Sequence, residues 1–359
     1  MGTRCIWQCI RRTGKLVVFP PTTPQEAIAL ILYVITSHTF ITIVVFPGFI
    51  HLTLVVMFLT WYERKLLARI QLRIGPLYAG GPGGILQPIA DGVKLIYKEV
   101  MIPYKADKPL FLGIPLMLVL FAALPFAVIP FGQHWVIANL DVGLVFLFAM
   151  TSLFPSLILV FAWASNSKFP FLGGLRSLFQ QVAYEIPMWV SALSVVMLAG
   201  SLNLTNIVEA QSKIWFIIPA FLSFIVFFIA IMAELERLPF DLPEAEPELV
   251  AGWFTESSGA VFMVIFLGLY MKVYLMSSLV TVLFLGGWMG PAFLPQPVWF
   301  ILKTLIVATF MIIPRGVYPR LRVDMLIKTG WTRLLIIALA NVFLTILLIN
   351  SGLLSAWGI

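Results

Sequence analysis

The densest chemistry in this sequence lies between Ala233 and Glu256, where Glu234, Glu236, Asp241, Glu244, Glu246, Glu248 and Glu256 crowd a single base, Arg237. A solvated charge run is rich in Lys, Ser and Gly. This one is threaded by Leu238-Pro239-Phe240-Asp241-Leu242-Pro243 and followed by Leu249-Val250-Ala251-Gly252-Trp253, so partial burial is expected. Buried neighbouring carboxylates raise one another's pKa and hold protons near neutral pH, as a proton relay or a charge sensor requires. Glu244 and Glu248 are spaced to share a face if the stretch is helical.

Three other stretches carry charge where apolar residues dominate. Glu63-Arg64-Lys65 opens one that runs through Arg69 and Arg73 into Ile85–Lys98. There Ile85, Ile89, Val93 and Ile96 fall on one helical face and Gln87, Asp91, Lys94 and Lys98 on the other, the pattern of a helix lying in a membrane interface. A snorkelling surface helix explains the lysines but leaves Asp91 without a purpose. Ser165-Asn166-Ser167-Lys168 and Arg176 lead into Tyr184-Glu185-Ile186-Pro187, where Glu185 is either functional or the ion-pair partner of Arg176. The last stretch sets Arg315, Arg320, Arg322 and Lys328 against Asp324, and Lys272 and Lys303 are isolated cations in apolar runs that need a carboxylate or a hydrated cavity.

Cys5 and Cys9 are the only cysteines, and His38, His51 and His134 are scattered. A self-contained iron–sulfur or haem centre needs ligands this chain does not group together. The run Ala79-Gly80-Gly81-Pro82-Gly83-Gly84 lacks the Lys and spacing of a phosphate loop and reads as a connector.

The elements that must position these groups are membrane helices. The 359 residues are 61% hydrophobic and 11% charged, with a mean hydropathy of +1.02. The apolar runs do not alternate as a β-barrel would, so an all-α polytopic membrane protein is expected. Eight spans are placed at Phe40–Tyr62, Leu110–Pro130, Gly143–Ala164, Val182–Gly200, Ile214–Ala233, Ser258–Leu285, Val298–Ile313 and Leu334–Ile349. A ninth over 27–46 competes with one long kinked first helix. Nearly all basic residues between spans then fall on one side, against Lys213 on the other, so that side is cytoplasmic and the net charge of +7 reflects topology rather than nucleic-acid binding. Arg4, Arg11, Arg12 and Lys15 fit this scheme poorly, and no signal-peptide cleavage site is evident in the tail.

With these strings in order, the chain resembles the family of complex I membrane subunit 1, the H-type subunits that wall the quinone chamber. The resemblance rests on Glu63-Arg64-Lys65-Leu66-Leu67-Ala68-Arg69 with Arg73-Ile74-Gly75-Pro76, on Gln87-Pro88-Ile89-Ala90-Asp91-Gly92-Val93-Lys94, and above all on Ala233 through Glu246 with Glu248-Leu249-Val250. It covers residues 40–359 as one transmembrane domain and leaves 1–39 as a variable extension. It implies the membrane wall of a quinone chamber roofed by soluble subunits, with Arg64, Arg73, Asp91, Arg237 and Phe240 at or near the chamber. It implies a proton or coupling path through Glu185, Glu234, Asp241, Glu244, Glu246, Glu248 and Glu256 toward pumping subunits. No catalytic residue, metal or redox cofactor is expected in this chain; quinone is substrate, and flavin and iron–sulfur clusters belong to the soluble arm. The implied partners are that arm, the other membrane subunits and the bilayer. The implied location is a prokaryotic inner membrane rather than an organellar or thylakoid one.

One departure stands out: many members carry a Glu before the Tyr of the sixth span, where this chain has Leu269 before Tyr270, with Lys272 nearby. The rival readings are the homologous membrane subunit of a membrane-bound hydrogenase and a free-standing secondary transporter. The second would show internal repeats, and neither the acidic stretch nor Glu63–Pro76 recurs. NADH, ferredoxin or a deazaflavin as donor, and the type of quinone, are not readable from this chain.

Overall fold

The computed structural model describes residues 41–351 except positions 82, 245 and 292. The expected extension and most of the possible extra span over 27–46 lie outside the described residues. All regular structure among those described is helical. Seven helices are long and apolar enough to cross a membrane, and Phe221–Glu234 is a shorter apolar eighth.

The first span opens with a π-helical turn at Ile41–Val45, breaks at Phe46-Pro47-Gly48, and continues as α1, Phe49–Ile70. Only glycine fits the break, because a Cβ at position 48 would lie 1.9 Å from the Ile43 carbonyl oxygen. The interfacial helix α2, Gln87–Tyr97, follows. Then come α3, Lys108–Ala123, and α4, Gly143–Ala164. Next is α5, Lys168–Ala199, whose 32 residues span roughly 48 Å at 1.5 Å per residue, so it outruns a 30 Å hydrocarbon core. The sequence expectation began this span at Val182. The helix in fact starts at Lys168, so Arg176 is helical and Glu185 sits in mid-helix rather than at a helix start.

Short α6, Leu204–Ala210, leads to α7, Phe221–Glu234, which starts seven residues later than expected from Ile214 because the intervening chain is coiled. The four-residue α8, Glu246–Leu249, follows in the acidic stretch. The remaining elements are α9, Gly259–Phe284; α10, Gln296–Val317; α11, Val323–Lys328; and α12, Leu335–Asn350. Helix α5 is the hub, packed by α4, α7 and α12, while α9 packs on α3, α10, α1 and α2. From Tyr270 to Phe284 every side chain of α9 is buried, which makes it the inner helix of its half.

Helix α2 keeps its apolar face away from the rest of the chain. Asp91, Gly92 and Leu95 are partly covered, whereas Ile85, Ile89, Val93 and Ile96 are 46–61% exposed. The side carrying Asp91, Gly92 and Leu95 packs toward the bundle, while Lys94 and Lys98 stay exposed and the apolar Ile85, Ile89, Val93 and Ile96 are left outward, as in an interfacial helix.

Candidate functional site

The four charged stretches converge at one end of the bundle. Glu63 on α1 accepts from Arg237 at 2.7 Å and from Arg315 at the end of α10. Arg176 on α5 donates to Glu248 at 2.5 Å, and Arg320 reaches Asp241 at 3.1 Å. The Leu321 amide also bonds the Pro239 carbonyl. These links tie the first, second, third and fourth stretches together, as the sequence placed them on one side.

Arg237 is the only base in the acidic stretch, yet its contact ion pair is with Glu63 of another helix. Its guanidinium also lies 4.9 Å over the Tyr270 ring. Burial works against its charge, but Glu63, Tyr270 and Glu244 outweigh that and hold its pKa above the normal range. The seven-to-one imbalance of the sequence is thus corrected from elsewhere in the fold: Glu234 takes Lys272, Asp241 takes Arg320 and Glu248 takes Arg176.

Glu236 has neutral donors only. It is 5% exposed and accepts from Ser177, from Gln181 at 2.7 Å and from the Trp253 indole at 3.4 Å. Gln180 on the same helix donates to the carbonyls of Ala233 and Phe240 at 2.8 and 2.7 Å, which fixes the turn carrying Glu236 and Arg237. Glu236 itself has a φ of 53°, a left-handed conformation that costs a non-glycine residue energy and is held by this surrounding network. Gly252 closes the far side, where its own φ is 65° and a Cβ would come within 1.8 Å of the Pro243 oxygen.

Beside this network lies a cavity of about 190 Å³. Its lining mixes the charged Glu236, Arg237, Asp241, Glu244 and Arg315 with the apolar Leu235, Leu238, Phe254, Phe262, Ile265, Phe266 and Leu269, together with Tyr270. Glu236 and Glu244 line it without an ion pair among the described residues. Burial, reinforced by Asp241 and Glu236, pushes the Glu244 carboxyl up to about 8. Burial likewise raises Glu236. It raises Asp241 too, despite Arg320, because one carboxylate oxygen of Asp241 is buried without a donor.

Glu244 and Glu248 do not share a helical face, because Glu244 lies in the turn before α8. Glu248 is exposed, Glu256 is partly buried, and the Glu246 side chain lies outside the described residues. Glu185 is not the partner of Arg176, which is taken by Glu248; one oxygen of Glu185 is buried and has no hydrogen-bond partner among the described residues. Phe240 is 8% exposed and packs edge-on against Tyr184, next to rather than within the cavity lining. Asp91 accepts from Arg64 and from Gln87 at 2.8 Å, so it clamps α2 to α1 outside the cavity. Arg73 is exposed and donates to Gln71 at 2.7 Å.

Sequence reasoning named no partner for Lys272 and Lys303. Lys272 is 3% exposed and donates to Glu234 at 2.8 Å and Gln181 at 2.9 Å. Lys303 caps the far end of α9, donating to the carbonyls of Leu285, Gly287 and Met289. Also missed as site residues were Ser177, Gln181, Trp253, Tyr270 and Arg315, which come together only in the folded chain.

A family model described as NADH dehydrogenase matches residues 16–346. Over 285 residues the chain is 47% identical to the H subunit of NADH-quinone oxidoreductase from Paramagnetospirillum magneticum, covering 78% of this chain and 83% of that one. The chain belongs to the family of NADH-quinone oxidoreductase H subunits. It is similar to a second H subunit, from Syntrophobacter fumaroxidans, 46% identical over 303 residues, with 82% of this chain and 91% of that one covered. Against the H subunit of Bacillus mycoides the identity is 47% over 289 residues, with 80% and 87% covered. As a member of this family it is a multi-pass membrane component of a complex I-type oxidoreductase. The resemblance read from Glu63–Pro76, the Asp91 segment and the acidic stretch is borne out.

Proposed function

We propose that the cavity beside Glu236 and Glu244 is this chain's share of a quinone chamber, and that the carboxylates around it couple quinone reduction to proton pumping. The observation that carries the reading is the mixed lining: aromatic side chains suited to a quinone ring share one cavity with carboxyls able to give and take protons. At about 190 Å³ the space falls short of the roughly 300–1000 Å³ of ligand sites, which fits a chamber completed by another subunit. The relatives are named for NADH and quinone, which serve in this reading as donor and acceptor of the whole complex.

Electrons then arrive from flavin and iron–sulfur clusters in the soluble arm. Reducing a quinone takes two electrons and two protons. Arg237 and Arg315 orient and balance charge, Tyr270 lines the space beneath Arg237, and Glu244 and Glu236 hold exchangeable protons. Adding or removing a proton there changes the field at Asp241, Glu234 and Glu185, and through them at the membrane subunits that would pump. The exposed isoleucines of α2 meet the lipid or the arm, and the assembly sits in a prokaryotic cell membrane.

A photoreactive quinone analogue tests the chamber. Crosslinks between Phe254 and Tyr270 that excess quinone abolishes are expected; labelling confined to other subunits overturns the assignment.

A further inference from the structure

Glu236 on the cavity and the buried Lys272–Glu234 pair are joined by one side chain, Gln181. Its Nε2 donates to Glu236 at 2.7 Å and its Oε1 accepts from Lys272 at 2.9 Å. This orientation is forced, since an ammonium can only donate and an ionised carboxylate can only accept. Lys272 in turn spends its remaining bonds on the Glu234 carboxylate at 2.8 Å and the Glu234 carbonyl at 3.0 Å, and its ammonium lies 4.5 Å from the Phe154 ring. The second Glu234 oxygen is buried with no hydrogen-bond partner among the described residues, so the far end of the series is open to another group.

A carboxyl, imidazole or hydroxyl in the middle position passes a proton from one neighbour to the next. A primary amide does not: near neutral pH it neither releases its N–H protons nor takes one on, though its dipole responds to charge on either side. We propose that Gln181 is a proton-tight spacer and Lys272 a positioning residue, transmitting the charge state of Glu236 to Glu234 while barring a proton from crossing between them. The proposal rests on the coupling reading above and deepens it. Such a bar is needed wherever protons consumed at a chamber must stay distinct from protons moved across a membrane.

When Glu236 is ionised, it attracts the amide N–H groups and aligns Gln181 toward Lys272. When Glu236 is neutral, that pull weakens and Lys272 is held by Glu234 alone. The signal is a change in field through about three hydrogen bonds in a dry interior, where such interactions are weakly screened.

The test is Gln181→Glu in the whole complex, reconstituted in proteoliposomes, with donor oxidation and proton uptake measured together. At whatever rate the variant turns over, the expected readout is a loss in protons moved per electron and a loss of control by the proton gradient, because a carboxyl now bridges the two compartments. Gln181→Met should do the reverse, lowering turnover while leaving that ratio intact. Gln181→Glu at the wild-type ratio and with normal gradient control overturns the proposal. Where that variant fails to accumulate, Gln181→His, which also places a titratable group between Glu236 and Lys272, is read the same way. Failure of both to accumulate beside a normal Gln181→Met would make the position a packing site and overturn the proposal as well. Glu244→Gln run in parallel separates the two readings. If it too keeps full turnover and ratio, the coupling role itself fails; if it loses both while Gln181→Glu keeps its ratio, only the spacer fails.

Discussion

Glu63 and Arg237 are 174 positions apart, yet the guanidinium bonds the carboxylate at 2.7 Å, leaving the acids of its own loop to find cations elsewhere. Glu63 is 1% exposed and holds Arg315 as well, so one carboxylate fixes both arginines of the cavity wall. Removing one member of a buried pair costs roughly 3–5 kcal/mol. Because Arg315 is 39% exposed, the lower end of that range is expected for Glu63→Gln. Native gels should show a clear drop in assembled complex, and the assembled remainder should have a raised quinone KM. Normal assembly and KM would remove Glu63 from this role.

Lys272 and Glu234 are both buried, at 3% and 2% side-chain exposure. Lys272→Met leaves a buried carboxylate unpaired and should cost about 3–5 kcal/mol, whereas adding Glu234→Gln should recover most of that loss. Assembly levels of the single and double variants give the comparison. A double variant no better than the single would mean that the pair is not a unit.

How much of this was legible beforehand depends on the range of the interaction. The spans, the acidic stretch and its partial burial could be read from local pattern, because twenty apolar residues or seven acids around Pro239 and Pro243 are visible in a short window. The cations that balance those acids could not. Lys272, Arg176 and Arg320 reach them across helix contacts that no spacing encodes, and Arg237 has a nearer choice in its own loop that burial of Glu63 overrides. The alternative that Glu185 pairs with Arg176 fails because both lie on one helix. They are nine residues apart, about 13 Å along the axis, which is too far for the pair. The outward isoleucines of α2 agree with the interfacial helix that its periodicity suggested, because a helix lying in an interface turns its apolar face away from the protein.

Asp91 and Arg64 have side chains 30% and 42% exposed, so their pair contributes at most about 1 kcal/mol. Asp91→Asn should therefore assemble normally while slowing quinone reduction, by loosening α2 against α1 beside the charged end. Isolated membranes with wild-type turnover and quinone KM would return Asp91 to a purely structural role.

Tyr78 is 92% exposed, Glu248 is exposed on the same end of the bundle, and exposed His134 lies in the α3–α4 connection at the other end. Cysteines placed at 78 and 248 should label from the cytoplasmic side of spheroplasts or inverted vesicles, and one at 134 from the opposite side. Labelling of 78 and 248 from different sides would contradict the convergence of the four stretches.

Glu244 titrates at about 8 in the folded chain against a usual carboxylate value of 4.5. Between those values the folded state binds a proton that the unfolded state has released, so this group's contribution to stability falls as pH rises through that window. Glu244→Gln should flatten the decline in thermal stability of the complex between about pH 5 and pH 8. A decline unchanged by the substitution would assign it to another group.

The central claim is that carboxyls on the cavity, rather than exposed acids such as Glu248, carry the coupling. Paired donor oxidation and proton uptake in proteoliposomes, compared for Glu244→Gln, Glu236→Gln and Glu248→Gln, tests it most directly. The account predicts that the first two assemble yet lose quinone reduction and pumping together, while Glu248→Gln keeps most of both; full activity in Glu236→Gln and Glu244→Gln would contradict it.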